Sequence, residues 1–251
     1  MTNNRWTNER LPAPPNLPPG DSWSSRGRYR IRIIADLQVA SVLTQLKPWL
    51  ASISGRILEV GCGGQPYSHL IPACCSYECL DSEMAAESFG YRISGVKYYD
   101  GGQFPFESSL FDHVFHTEVI EHVYDVATFL TECRRVLKPS GTMFFSVPFQ
   151  ARYHYIPHDF WRFTPASLDR ILQQAGFSKI AIVPRGTDIT VASYKIVSLV
   201  YRWLRGSGME KMIGIVASPV GLLALVMGHI SMRLGLGSID DTLGFCVFAE
   251  V

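Results

Sequence analysis

Ile57-Leu58-Glu59-Val60-Gly61-Cys62-Gly63-Gly64-Gln65 is the stretch whose reading decides the fold. A short apolar run carrying one acidic residue breaks into a glycine cluster. A buried parallel strand ends this way when its following loop must press backbone against a ligand. Glycine suits such a loop because it lacks a Cβ and tolerates positive φ. The backbone N–H groups left free there, and at the start of the next element, can bind a polar ligand. Glycine-rich turns after strands serve many cofactors, so the run gains meaning only from residues further along the chain.

Working outward, strands are predicted at Ile57–Val60, Tyr77–Leu80, Lys97–Tyr99, Phe111–His116, Thr142–Val147, Phe177–Pro184 and Thr242–Val251. Helices are predicted near Ile31–Leu50, Pro66–Ile71, Val126–Leu137 and Pro165–Ala175. The last has firm punctuation, with Thr164 as N-cap, Pro165 at the first helical position and Gly176 after the end. Such alternation argues for an α/β sheet, mostly parallel and covered on both faces. Ligands of such sheets sit outside the carboxyl ends of the strands.

Those ends carry a series of carboxylates. Asp81 follows the second strand about twenty residues beyond Gly61, where a carboxylate can accept both hydroxyls of a ribose. Asp100, at the tip of the third, can accept from an exocyclic adenine amine, and Gly101 lets backbone approach the base. Three acidic strand-end residues in succession, Glu59, Asp81 and Asp100, are far less expected by chance than one.

With these residues in place, the chain resembles the class I S-adenosylmethionine-dependent methyltransferases of the group called methyltransferase type 11. The matching segments are Leu58–Gly63, Leu80-Asp81, Asp100, Phe104–Val114, Thr117–Val123 and Arg134–Thr142. The resemblance implies a Rossmann-like, seven-stranded sheet with an antiparallel last strand. It also implies that Glu59 and the backbone of Gly61 and Gly63 hold the amino-acid end of S-adenosylmethionine. Asp81 would bind the ribose, Asp100 and Gly101 would flank the adenine, and Thr117 would lie beside the methyl-sulfonium. Gln65 departs from the family, which has a third glycine there. The implied reaction is in-line attack by a substrate oxygen, nitrogen or carbon on the sulfonium methyl, with the protein supplying mainly position and desolvation.

Glu118, Glu121 and His122, at i, i+3 and i+4, would share one face of a helical turn. A similar Glu-x-x-Glu-His helps hold a divalent ion in metal-dependent O-methyltransferases, so these three are candidate metal ligands. The competing reading is an ordinary helix start, with Glu near the positive end of the dipole. The loop Tyr153–Phe163 is unusually aromatic and reads as a substrate lid. Its His154 and His158, with His122, are the candidate general bases.

The remaining segments bound the domain plan. Residues 1–25 are rich in Pro, Asn and Ser and read as a flexible arm, leading to a basic run at Arg26, Arg28, Arg30 and Arg32. The core is expected over 26–187 and its last strand in 239–251. Between them, 188–238 is an apolar helical insertion in which Met212–Met232 contains no Asp, Glu, Lys or Arg. Both its ends must return to one sheet, which excludes a single membrane crossing. An interfacial hairpin, a pair of spans, a cap on the cleft, or a homodimer contact remain, and the short Ser193–Leu204 stretch with its Lys195 argues against two full spans. A net charge of +1 gives no general reason to expect nucleic acid. Six cysteines without paired CxxC spacing, and no apolar leader at the N-terminus, fit a reduced cytoplasmic setting, with peripheral membrane contact through 188–238. The leading expectation is a methyltransferase for a small, amphipathic or lipid-linked molecule. The alternatives are a soluble metabolite or glycan methyltransferase, and a non-catalytic cofactor-binding protein at a membrane.

Overall fold

The computed structural model describes residues 17–251 except Tyr91. Most of the expected flexible arm, residues 1–16, lies outside the described residues; Trp23–Ser25 already belong to a helix. Seven strands form one sheet: β1 (Gly55–Val60), β2 (Cys75–Ser82), β3 (Val96–Tyr99), β4 (Phe111–Thr117), β5 (Leu137–Pro148), β6 (Ser178–Pro184) and β7 (Gly244–Glu250). Their order is β3-β2-β1-β4-β5-β7-β6. The first five strands pair in parallel, and β7 runs antiparallel between β5 and β6. The order reverses between β1 and β4, so the crevice at their carboxyl ends is the natural ligand position.

Consecutive residues on the central strands serve opposite cores, because side chains alternate along a strand. Leu58, Val114, Phe145 and Val247 face one core, which holds Phe129, Leu130 and Cys133 from α4 (Val126–Val136) and Leu168 and Leu172 from α5 (Pro165–Gln174). Ile57, Phe115, Phe144 and Cys246 face the other, against Val42, Leu46 and Leu50 of α2 (Leu37–Ser52). A sheet buried on both faces explains why its strands read as apolar runs rather than as clean alternation.

Several predicted elements are corrected. The helix expected over Ile31–Leu50 is two, α1 (Trp23–Ala35) and α2. Asp36 leaves helical geometry between them, and its carboxylate accepts the N–H groups of Gln38 (3.0 Å) and Val39 (3.3 Å). An N-cap thus interrupts a continuous apolar pattern. The Pro66–Ile71 helix is one 3₁₀ turn at Ser68–Leu70. An unexpected helix, α3 (Glu83–Phe89), starts at Ser82, whose hydroxyl accepts Ala85 N–H, and stops at Gly90 with φ of 68°. Strand β5 begins five residues early, at Leu137 opposite Phe111.

The apolar region forms two packed helices, α6 (Asp188–Arg205) and α7 (Gly208–Leu234), which leave β6 and return to β7. Thr187 and Thr190 at the start of α6 meet Ser231 of α7 in a buried hydroxyl cluster, at 2.8 and 2.9 Å. Leu37, Val191 and Leu243 pack beneath it and join the hairpin to α2 and the sheet.

Candidate active site

The loop after β1 is shaped by residues that accept positive φ. Gly61 has φ of 67° and gives its N–H to Leu80 O at 2.8 Å. A Cβ there would lie 2.5 Å from Val119. Gly63 donates to Asp81 Oδ2 at 2.8 Å, so the ends of β1 and β2 are tied by the carboxylate read as the ribose ligand. Burial raises the Asp81 carboxyl above its ordinary range, opposed by the N–H groups of Ser82 and Gly63. Gln65 adopts a glycine-like φ of 54°, and its amide donates to Cys79 Sγ at 3.1 Å. The family's third glycine position thus keeps its backbone geometry with a side chain turned back onto β2.

Glu59 lies deeper than its expected role suggests. It is fully buried on β1 and accepts the Tyr77 hydroxyl, and burial pushes its carboxyl well up. Asp100 and Gly101 stand exposed beyond β3, where Asp100 accepts Gly102 N–H at 3.2 Å. Thr117, the last residue of β4, lines a cavity of about 110 Å³ with Glu118, Tyr67 and the α2 residues Gln38, Val39 and Val42. The α2 residues were missed at the level of sequence, because a helix far upstream gives no local sign of reaching a strand end.

Glu118 does not join the expected metal face. Its φ of 54° places it before the 3₁₀ turn Ile120–His122, not on it. Its carboxylate instead accepts Ser146 Oγ (2.8 Å) and Arg185 Nη1 (2.9 Å). Arg185, at the end of β6, is 1% exposed and also donates to Gln38 Oε1 at 3.1 Å. Gly244 makes room for it, since a Cβ there would collide with the guanidinium. The sequence carried no sign of this pair, whose members are 67 residues apart.

The site that does assemble is Glu121, His122 and His154, each offering a ligand atom within 4.8 Å of the others. Both Glu121 carboxylate oxygens are buried with no hydrogen-bond partner among the described residues. Burial pushes that carboxyl well above its usual range, and Glu118 adds to the shift. His122 donates Nδ1–H to His158 O at 2.7 Å, which turns Nε2 towards Glu121 Oε1 at 3.6 Å. Burial first, then the neighbouring His154, lowers the His122 pKa to about 4. His154 behaves oppositely: burial alone would lower it, but the Asp159 carboxylate, 3.1 Å from Nδ1, holds it above its ordinary value. Asp159 is itself buried, yet two contacts from Arg162, at 2.6 and 2.8 Å, and His154 keep its carboxyl far below the usual range. His158 contributes its carbonyl to this arrangement, and its ring stands outside the three-residue cluster.

The aromatic loop is fastened rather than loose. Phe160 and Trp161 give their N–H groups to Glu121 O, and Trp161 Nε1 donates to Val123 O at 3.0 Å. Phe163 joins the core, while Phe160 and Trp161 stay about 40% exposed beside the cluster.

The strand order β3-β2-β1-β4-β5-β7-β6, with β7 antiparallel and a glycine loop at the β1 end, is the plan of the class I S-adenosylmethionine-dependent methyltransferases, and this chain is similar to that class in sequence and fold. Residues 58–145 match a family model described as a methyltransferase domain. The chain is 27% identical over 150 residues to a ubiquinone biosynthesis O-methyltransferase of Dinoroseobacter shibae, covering 50% of this chain and 60% of that protein. It is 26% identical over 202 residues to the human mitochondrial ubiquinone biosynthesis O-methyltransferase, covering 64% of this chain and 54% of that protein. The chain thus spans less than two thirds of these curated relatives. Among solved structures, a SAM-dependent methyltransferase from Archaeoglobus fulgidus shares the fold with a TM-score of 0.52 at 14% identity, covering 92% of this chain and all of that one. A cyclase shares it equally, with a TM-score of 0.52 at 17% identity over 85% of this chain and 82% of that one. Fold likeness alone therefore does not name the reaction.

Proposed function

We propose that the chain transfers the sulfonium methyl of S-adenosylmethionine to a hydroxyl of a small, amphipathic acceptor. The observation that carries this reading is the cluster of Glu121, His122 and His154, the first two of which lie on the 3₁₀ turn that follows Thr117 of β4, the strand paired with β1. Relatives named as O-methyltransferases support oxygen as the acceptor atom.

The donor site needs little more than position. Gly61 and Gly63 bring backbone against the donor's amino-acid end, Asp81 takes the ribose hydroxyls, and Asp100 and Gly101 meet the adenine edge. Glu59, hydrogen-bonded to Tyr77, supports the loop from below. The leaving group is already cationic, so the protein's task is to hold the acceptor in line with the methyl and exclude water. A hydroxyl must lose its proton as it attacks. His154 is placed for this: Asp159 engages Nδ1 and so leaves Nε2 as the accepting nitrogen, the base-orienter logic of catalytic dyads. Its raised pKa brings it nearer the working pH than His122. Phe160 and Trp161 offer apolar surface beside the acceptor.

The cluster also fits a divalent ion. An unpartnered buried carboxylate facing two imidazoles is a mixed O/N donor set. Glu121, His122 and His154 would hold the ion, with Glu118 outside the set, and a bound cation would lower the pKa of an acceptor hydroxyl.

Two measurements test the reading. Asp81→Asn is expected to weaken S-adenosylmethionine binding about ten- to a hundredfold by calorimetry, the range for losing a charged hydrogen-bond acceptor. Labelled methyl from the donor, incubated with a cell extract, is expected in base-stable ether products that partition with lipids. Label found only in nucleic acid or protein would refute the small-acceptor reading.

A further inference from the structure

Helix α7 is built the reverse way from a soluble core helix. Its buried positions are Gly214, Gly221, Ala224, Gly228 and Ser231, a seam of small residues packed on α6. Its large apolar side chains, among them Met212, Val216, Leu223, Val226 and Leu234, point away from the protein. At 100° per residue these two sets lie on opposite sides of the helix. The helix is long and apolar enough to cross a membrane, yet only 22% of its most apolar stretch is buried.

Charge says what covers this face. Helix α1 lies beside α7, where His229 Nε2 approaches Ile34 O at 2.8 Å. It carries four arginines, of which Arg26, Arg28 and Arg30 are exposed, has no acidic residue, and holds Trp23 90% exposed. The hairpin adds Lys195, Arg202, Arg205, Lys211 and Arg233 against Asp188 and Glu210. The whole chain is only +1, so positive charge is concentrated around the apolar face. An apolar groove of about 410 Å³, lined by Ile34, Ala40, Thr44, Ile230 and Arg233, opens between α1, α2 and α7. A second copy is a poor occupant, because two-fold pairing would set one basic rim against the other. A single span is excluded, because α6 and α7 begin and end at neighbouring strands of one sheet.

We propose that α1, α6 and α7 form a docking surface for an anionic phospholipid bilayer. The outer face of α7 lies in the headgroup–acyl boundary, and the α1 arginines with those at the hairpin tip meet lipid phosphates. The proposal is independent of the acceptor molecule and stands whether or not the cluster catalyses.

The test is vesicle co-sedimentation of the full chain. Wild type is expected to pellet with vesicles of equal phosphatidylglycerol and phosphatidylcholine, to stay largely in solution with pure phosphatidylcholine, and to be released by salt. Val216→Glu/Leu223→Glu and Arg26→Glu/Arg30→Glu are each expected to weaken anionic binding roughly tenfold or more. All four side chains are exposed, and unchanged S-adenosylmethionine affinity would show the variants folded. Wild type that remains soluble with anionic vesicles would overturn the proposal. So would a solution dimer, seen by light scattering, that Val216→Glu/Leu223→Glu converts to monomer.

Discussion

Arg185 is a buried cation answered by one carboxylate, that of Glu118, itself about a third exposed. Removing one partner of such a pair leaves the other charge without compensation. Glu118→Ala is therefore expected to cost about 3 kcal/mol in chemical denaturation, the low end for breaking a buried pair because solvent reaches one side. Glu118→Gln keeps an acceptor for Arg185 and should cost less. Had Glu118 been a metal ligand instead, both variants would lose ion binding and leave stability of the ion-free protein nearly unchanged. At His154 the sign of the pKa shift sets a second expectation. Its folded value lies above the ordinary one, so its attraction to Asp159 stabilises fully below about pH 6.5 and fades as pH rises through the folded value. Imidazole NMR titration is expected to show His154 keeping its proton to higher pH than His122, which titrates near 4. Asp159→Asn should lower the His154 value and shift the alkaline-rising limb of methyl transfer towards acid. An unchanged limb would remove His154 from the role of base.

Elements differ in how openly they announce themselves. Strand β1 is legible because residues buried on both faces leave an apolar run, Ile57–Val60, interrupted only by Glu59. Helix α5 is legible because Thr164, Pro165 and Gly176 mark both ends. The α1–α2 break is hidden, since apolar residues continue through Ile33-Ile34-Ala35 to Leu37 and only the capping carboxylate of Asp36 marks the stop. Helix α3 is short and weakly apolar, so periodicity misses it, although Ser82 and Gly90 mark its limits. The glycines of α7 carry the element's own test. A Cβ on Gly214 would lie 2.6 Å from Leu204 N, a backbone atom that cannot move alone. Gly214→Ala is thus expected to lower stability by about 1–3 kcal/mol, overpacking outweighing the gain of about 1 kcal/mol in helix propensity. Gly27 in α1 has nothing within 4 Å of that position. Gly27→Ala is expected to raise stability by about 0.5–1 kcal/mol. Thermal unfolding of the two variants should move in opposite directions.

Across the whole molecule, the residues proposed to hold the donor could be picked out because they lie within a few positions of strand ends, so chain order predicts spatial order. The acceptor half could not, because it is assembled from distant segments. Gln38 reaches it from α2, Arg185 from the end of β6, and His154 from the loop after β5, each placed by tertiary packing that no local pattern encodes. The same connectivity decides how the apolar hairpin can be probed. Residues 188–238 could be excised cleanly if they were an appendage. They are not: Val191 packs with Leu37 and Leu243, and Thr187 and Thr190 share a buried hydroxyl cluster with Ser231. Helix α2 bears Leu37 at one end and lines the Thr117 cavity with Gln38 and Val39. Deleting 188–238 would expose that packing beside the donor site and free the α2 start. The deletion is therefore expected to lower the unfolding midpoint markedly and weaken S-adenosylmethionine binding together, whereas Val216→Glu/Leu223→Glu should leave both unchanged. A deletion variant of wild-type stability and donor affinity would show the hairpin to be separable from the enzyme.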